Sequence, residues 1–143
     1  MECGIIALID IALYSENGEP VTVCSISKRQ NISIKYLEQI LMILRQSHLV
    51  RSQKGSRGGY VVGRPPEKIT LREVIDALDV TILGDTVFND SEKESELKSI
   101  IDEKLWNKMT VFLREFSESI TLAEIIEQYR KSLAKTGDFM YYI

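Results

Sequence analysis

From Thr22 to Val62 the chain reads TVCSISKRQNISIKYLEQILMILRQSHLVRSQKGSRGGYVV, and the order of elements in this stretch decides the fold. Thr22 can cap a short helix to about Gln30, whose inward residues are Val23 and Ile26. Asn31 suits a left-handed stop, and Ser33 caps a second helix to about Ser47 with Leu37, Ile40, Leu41 and Leu44 as its core stripe. Two helices joined by so short a turn form a helix-turn-helix. His48 falls where a left-handed residue is wanted, which histidine tolerates better than most non-glycine types. Leu49 to Gln53 then reads as a strand, Lys54 to Gly59 as a glycine-rich connection and Tyr60 to Val62 as the returning strand. A β-hairpin placed directly after the second helix is a wing, and its glycines let the tip approach a groove without Cβ clashes.

Outward from this centre, residues 4 to 15 are apolar almost all round, with Ile5, Leu8, Ile11 and Ala12 on one stripe, which suits a mostly buried first helix. Asn17-Gly18 turns the chain. On the other side Pro65-Pro66 stops the hairpin, and Thr70-Leu71-Arg72-Glu73 is a capping box opening a helix with Val74, Ile75 and Leu78 on its apolar face. Residues 80 to 95 read as a loop. A long helix follows, from about Glu94 to Ser117, with Leu97, Ile101, Leu105, Phe112 and Phe116 at helical spacing and Trp106 beside them. So long an apolar stripe exceeds what a small domain covers alone and predicts packing against a second copy. Thr121-Leu122-Ala123-Glu124 is a second capping box, opening a helix to about Leu133, and an aromatic tail ends at Tyr142-Ile143. The expected fold is mainly α with a small β wing: a winged helix-turn-helix over residues 1–79, a loop over 80–95, and a dimerisation helix with the C-terminal tail over 94–143.

The 143 residues are 44% hydrophobic and 27% charged, enough to bury one compact core. The longest nearly uncharged run, Gly4 to Ser15, is broken by Asp10 and too short for a membrane helix, and with no leader-like segment the expected location is the cytoplasm. Two cysteines and one histidine cannot supply a four-ligand zinc site or an all-cysteine cluster. The same poverty argues against an enzyme, since no acid pair or nucleophile–base spacing is present. The net charge of −3 conceals an asymmetry: residues 1–70 carry nine Lys/Arg against six Asp/Glu, and residues 71–143 nine against fifteen. Within Lys28–Lys68 nine basic residues face only Glu38 and Glu67, the local excess that a polyanion-binding surface needs.

Ser33, Lys35, Tyr36, Glu38 and Gln39 fall on the N-terminal, outward part of the second helix, where base edges are met in this docking geometry. Gln39 can pair bidentately with adenine, Ser33 can bond a base edge or phosphate, Tyr36 can reach phosphate or a thymine methyl, and Glu38 can accept from cytosine. Lys54 and Arg57 on the wing tip can reach phosphates or the minor groove. Lys28, Arg51, Ser56 and Gly58 complete the expected DNA-binding set. Cys3 and Cys24 are read as packing residues, although Cys24 lies in a helix first turn where a thiol pKa can fall. Metal-binding residues are expected to be none.

The run from Ser33 to Leu41, then Leu44-Arg45, Leu49-Val50-Arg51-Ser52, Gly58-Gly59-Tyr60 and Pro65 to Leu71, resembles the Rrf2 family of bacterial winged-helix regulators, the group of IscR, NsrR and CymR types. The match runs from about Gly4 to Leu78. It implies a homodimer that reads palindromic double-stranded DNA. Many members hold an iron–sulfur cluster through three cysteines before the long helix, but Val80 to Lys98 contains none, so no cluster is expected. Leu105-Trp106, Thr121-Leu122 and the aromatic-isoleucine ending are similar to the CymR branch, which implies a repressor of cysteine or sulfur metabolism. That likeness implies cysteine synthase as a partner, captured through Tyr142 and Ile143. The alternative is a protein-interaction module that binds cysteine synthase through this tail without specific DNA readout.

Overall fold

The computed structural model describes residues 1–78 and 95–136. The helices are α1 (Glu2–Tyr14), α2 (Val23–Gln30), α3 (Ile34–Gln46), α4 (Leu71–Leu78), α5 (Glu96–Ile101), α6 (Asn107–Ser119) and α7 (Leu122–Lys135). Strands β1 (Val50–Gln53) and β2 (Gly59–Val62) lie between α3 and α4, and a 3₁₀ turn at Pro66–Lys68 precedes α4. Among the described residues the fold is therefore helical with one antiparallel hairpin, as the sequence pattern predicts.

Local chemistry sets each boundary of the helix-turn-helix. The Thr22 hydroxyl accepts the Ser25 N–H at 3.2 Å, and Asn31 closes α2 in the left-handed region at φ 55°. The Ser33 hydroxyl accepts the Tyr36 N–H at the start of α3. Ser27 Oγ donates to the Ile32 carbonyl at 2.6 Å, which fixes the turn between the two helices. His48 takes φ 59°, so the chain leaves α3 sharply and Leu49 N–H reaches back to the Leu44 carbonyl.

Leu37, Ile40, Leu41 and Leu44 of α3 pack with Ala7, Leu8, Ile11 and Ala12 of α1, Ile26 of α2, and Leu49, Val50, Ile69 and Val74 in one core. Ile5 is only half-buried at its edge. Each large side chain so enclosed contributes about 1.5–3 kcal/mol.

The hairpin pairs Val50 with Val62 and Gln53 with Gly59. Val21 adds a third, one-residue edge: it and Tyr60 exchange two backbone hydrogen bonds of 2.8 Å. This close approach is what Gly59 permits, since a Cβ there would stand 2.6 Å from the Val21 carbonyl oxygen.

Two features differ from the sequence expectation. The long helix begins one residue after its cap, Ser95, and carries a π-helical turn at Asp102–Trp106, with Asn107 N–H bonded to the Asp102 carbonyl. One extra residue in the turn rotates all that follows by about 100° relative to an unbroken α-helix. Leu97 and Ile101 are thus continued by Trp106, Met109 and Leu113, while Phe112 and Phe116 stand about a quarter-turn aside. The two phenyl rings stack at 6.5 Å. The second difference is α7. Its Leu122 and Ile126 enter the same core as α1 and α3, and a backbone bridge between Thr70 and Thr121 ties its start to the start of α4. The loop expected over 80–95 lies outside the described residues except for Ser95.

Candidate nucleic-acid interface

Amphipathic spacing on α3 divides its residues cleanly. With Leu37, Ile40, Leu41 and Leu44 turned inward, Ser33, Lys35, Tyr36, Glu38 and Gln39 are all exposed, and Ile34 and Met42 share the solvent side. The Ser33 oxygen is occupied as the helix cap, so toward a ligand its hydroxyl has a proton to donate. Tyr36 presents both ring and phenol to solvent. Ile34 and Met42 are exposed apolar side chains of this face that a reading for polar contacts misses. Their signal was apolar residues off the buried stripe, placed where a thymine methyl can be met.

The wing carries the second group. Along β1 Val50 points inward, while Arg51 to Gln53 are exposed, as are Lys54, Ser56 and Arg57 at the tip. Gly55 takes φ 118°, which an L side chain rarely adopts. Gly58 is half-buried, and a Cβ on it would meet the Gln53 carbonyl at 2.6 Å. The tip is consequently a tight, preset loop whose cations leave a fixed base.

Charge pairing sharpens the local excess of cations. Of the nine basic residues between Lys28 and Lys68, Arg29 is paired with Asp10 and Arg64 with Glu73. The remaining seven, among them Lys28, Lys35, Arg51, Lys54 and Arg57, make no ion pair with a described residue. Unpaired cations gathered on one helix-turn-helix and hairpin suit a polyanion, because neutralising them releases counterions.

The sequence reading also passed over Asp10. Its side chain is fully buried on an otherwise apolar helix, and a lone charge in such a run must find partners. Arg29 donates from Nε to Oδ2 at 3.0 Å and from Nη2 to Oδ1 at 2.7 Å, and Gln30 Nε2 donates to Oδ2 at 2.8 Å. Asp10 holds the Arg29 pKa above its ordinary value, first through the hydrogen bond and then through charge. The Arg29 guanidinium also lies 4.0 Å from the centre of the Tyr14 ring. This cluster fastens α2, and with it the helix-turn-helix, to α1.

The other expected groups are placed elsewhere. Leu97, Ile101, Leu105, Trp106, Phe112 and Phe116 are all exposed on α5, the π turn and α6, with Leu97 and Phe112 each about two-thirds exposed. Tyr142 and Ile143 lie outside the described residues. Cys24 is exposed rather than packed, because it faces away from Ile26 on α2, whereas Cys3 packs at the edge of the core. No cluster of three or more His, Cys, Asp or Glu occurs among the described residues. With only Cys3 and Cys24 in the chain, the donor set does not fit a three-thiolate iron–sulfur site. No helix among the described residues is long and apolar enough to cross a membrane.

Comparison with known proteins agrees with this geometry. The profile of the family described as Rrf2, iron-dependent transcriptional regulator, matches residues 1–128. The HTH-type transcriptional regulator IscR of Sodalis glossinidius is 38% identical over 123 residues, covering 86% of this chain and 73% of that protein. An HTH-type transcriptional regulator of Haemophilus influenzae is 33% identical over 136 residues, covering 95% of this chain and 89% of that protein. Among solved structures, CymR, the global cysteine regulator of B. subtilis, superposes with a TM-score of 0.70 at 30% identity over 87% of this chain and 91% of that one. IscR of T. potens gives a TM-score of 0.70 at 29% identity over 90% of this chain and 84% of that one.

Proposed function

The chain belongs to the Rrf2 family of transcriptional regulators, and from that premise we propose that it is a sequence-specific, homodimeric repressor that reads a palindromic operator without an iron–sulfur cluster. The observation that carries the reading is the pairing of α3's exposed polar face with six uncompensated cations on the same helix-turn-helix and wing. α3 enters the major groove with Gln39 and Glu38 toward base edges, Ser33 donating its hydroxyl proton and Tyr36 reaching a phosphate or methyl. Lys28, Lys35 and Arg51 neutralise phosphates. Lys54 and Arg57, with Ser56 and Gly58 shaping the tip, contact the phosphates or minor groove alongside. The exposed apolar side chains of the long helix favour a second copy across them, which sets two α3 helices into half-sites about one helical turn apart, roughly 34 Å.

Control of cysteine or sulfur metabolism is supported by the likeness to CymR and by the absence of cysteines between Val80 and Lys98. On the same likeness, Tyr142 and Ile143 are assigned to capture by cysteine synthase. A gel shift on the gene's own upstream region, repeated over a salt series, tests the reading. A specific complex whose affinity falls steeply with salt is expected. Affinity no better than for random DNA would overturn it and leave the tail-mediated interaction with cysteine synthase as the remaining role.

A further inference from the structure

The outward side of α3 holds one residue for which the polar and ionic contacts above have no use. At about 100° per residue, Lys35, Gln39, Met42 and Gln46 fall within about 60° of one another, diametrically opposite the buried stripe of Leu37, Ile40, Leu41 and Leu44. All four are exposed. Three are polar, and Met42 is the exception: it is 51% exposed and belongs neither to the core nor to the half-buried side chains packed against it. Ile34, also exposed and apolar, sits at the start of the helix and well to one side of this row.

With α3 seated in a major groove, the row at the centre of its outward side meets base edges. Met42 stands three residues beyond Gln39, about 4.5 Å along the helix axis, against a base-pair step of about 3.4 Å. The edges within its reach therefore lie one or two base pairs from the pair that Gln39 meets. A polar edge covered by an apolar side chain loses its water and gains no hydrogen bond in return. The thymine C5-methyl is the one apolar group that the four base pairs display in this groove. An unbranched thioether chain can settle against such a methyl without demanding a fixed geometry.

We propose that Met42 is a specificity-determining residue, reading the C5-methyl of a thymine one or two base pairs from the pair read by Gln39. Each half-site then carries a T·A pair at that place, with the thymine turned toward α3. The inference rests on the DNA-reading role proposed above and adds to it the identity of one base.

The full-length protein first selects its half-site from randomised duplexes, and the position where Gln39→Ala loses discrimination locates the Gln39 pair. Each thymine of the selected site, on either strand, is then replaced in turn by uracil, which removes the methyl and keeps the pairing and polar edges. For the wild type, one replacement within two base pairs of the Gln39 pair is expected to weaken binding about three- to fivefold, the worth of one buried methyl group. Met42→Ala and Met42→Gln are each expected to bind the thymine and uracil forms of that site equally, with the salt slope unchanged because no charge is altered. Circular dichroism reports the fold of both variants, so its loss in one leaves the other. Ile34→Ala is expected to keep the methyl preference. A selected site in which no thymine methyl matters, a preference that survives in a folded Met42 variant, one lost in Ile34→Ala instead, or one farther than two base pairs from the Gln39 pair would overturn the proposal and leave the DNA-reading role standing. Enrichment of no sequence at all would overturn both.

Discussion

The proposed DNA-reading role assigns Gln39 and Lys54 different work. Replacing Gln39 by alanine removes a bidentate contact and is expected to cost about 1–3 kcal/mol at particular base pairs, leaving non-specific affinity nearly unchanged. Lys54→Ala should weaken binding on every sequence and lower the salt slope by about 1. Competition gel shifts with single-base operator variants over a salt series separate the two; equal losses on specific and random DNA for both variants would refute the division. Asp10 belongs to stability instead. Its alanine variant takes from Arg29 its carboxylate, leaving the guanidinium only the Ser25 hydroxyl and the Tyr14 ring, and because that group is about one-third exposed the expected loss is about 2–3 kcal/mol, below the full cost of an orphaned buried charge. Urea unfolding measures it, and Arg29→Met in the same background should restore part of the loss. This cluster was legible only in outline. Asp10 stands out in the sequence as the one charge within Gly4–Ser15, but its partners lie on another helix and no local rule names them.

Helix boundaries were readable because they are set within three or four residues. Thr22, Ser33 and Thr121 each accept the N–H three positions on, and Asn31 and His48 take the left-handed conformation that their positions require. Thr70 also accepts from Glu73 N–H, but the second half of that capping box is not made, because the Glu73 carboxylate goes to Arg64. The edge at Val21 was not readable, since a one-residue bridge leaves no period-two pattern. The π turn was invisible for a related reason: nothing in Asp102-Glu103-Lys104-Leu105-Trp106 announces an i to i−5 bond. The wing yields its own prediction. Gly59→Ala drives a methyl into the Val21 carbonyl and should cost about 1–3 kcal/mol while speeding amide exchange at Tyr60 and Val21. Unchanged exchange at both amides would mean that the edge pairing is dispensable.

At the scale of the molecule, the exposed apolar side chains on α5, the π turn and α6 form the surface to which the proposed dimer contact is assigned. Phe112→Glu places a charge on the most exposed aromatic of α6, a quarter-turn from Met109 and Leu113, and is expected to shift the protein from dimer to monomer in sedimentation at micromolar concentration. Operator affinity should fall with it, because two half-sites are then engaged independently. A Phe112→Glu protein that stays dimeric would place the interface elsewhere. The acidic excess of residues 71–143 is consistent with the proposed dimer, in which that part meets a second copy rather than phosphate. The Thr70–Thr121 bridge, with Leu71 N–H bonded to the Ile120 carbonyl and Leu122 N–H to the Ile69 carbonyl, ties the C-terminal end of the helical arm to the winged head. An arm soldered at its root behaves as a caliper: its jaws open to one width. In the proposed dimer, lengthening the operator by a single central base pair is therefore expected to swing one half-site some 35° around the duplex axis and out of register, and to weaken binding.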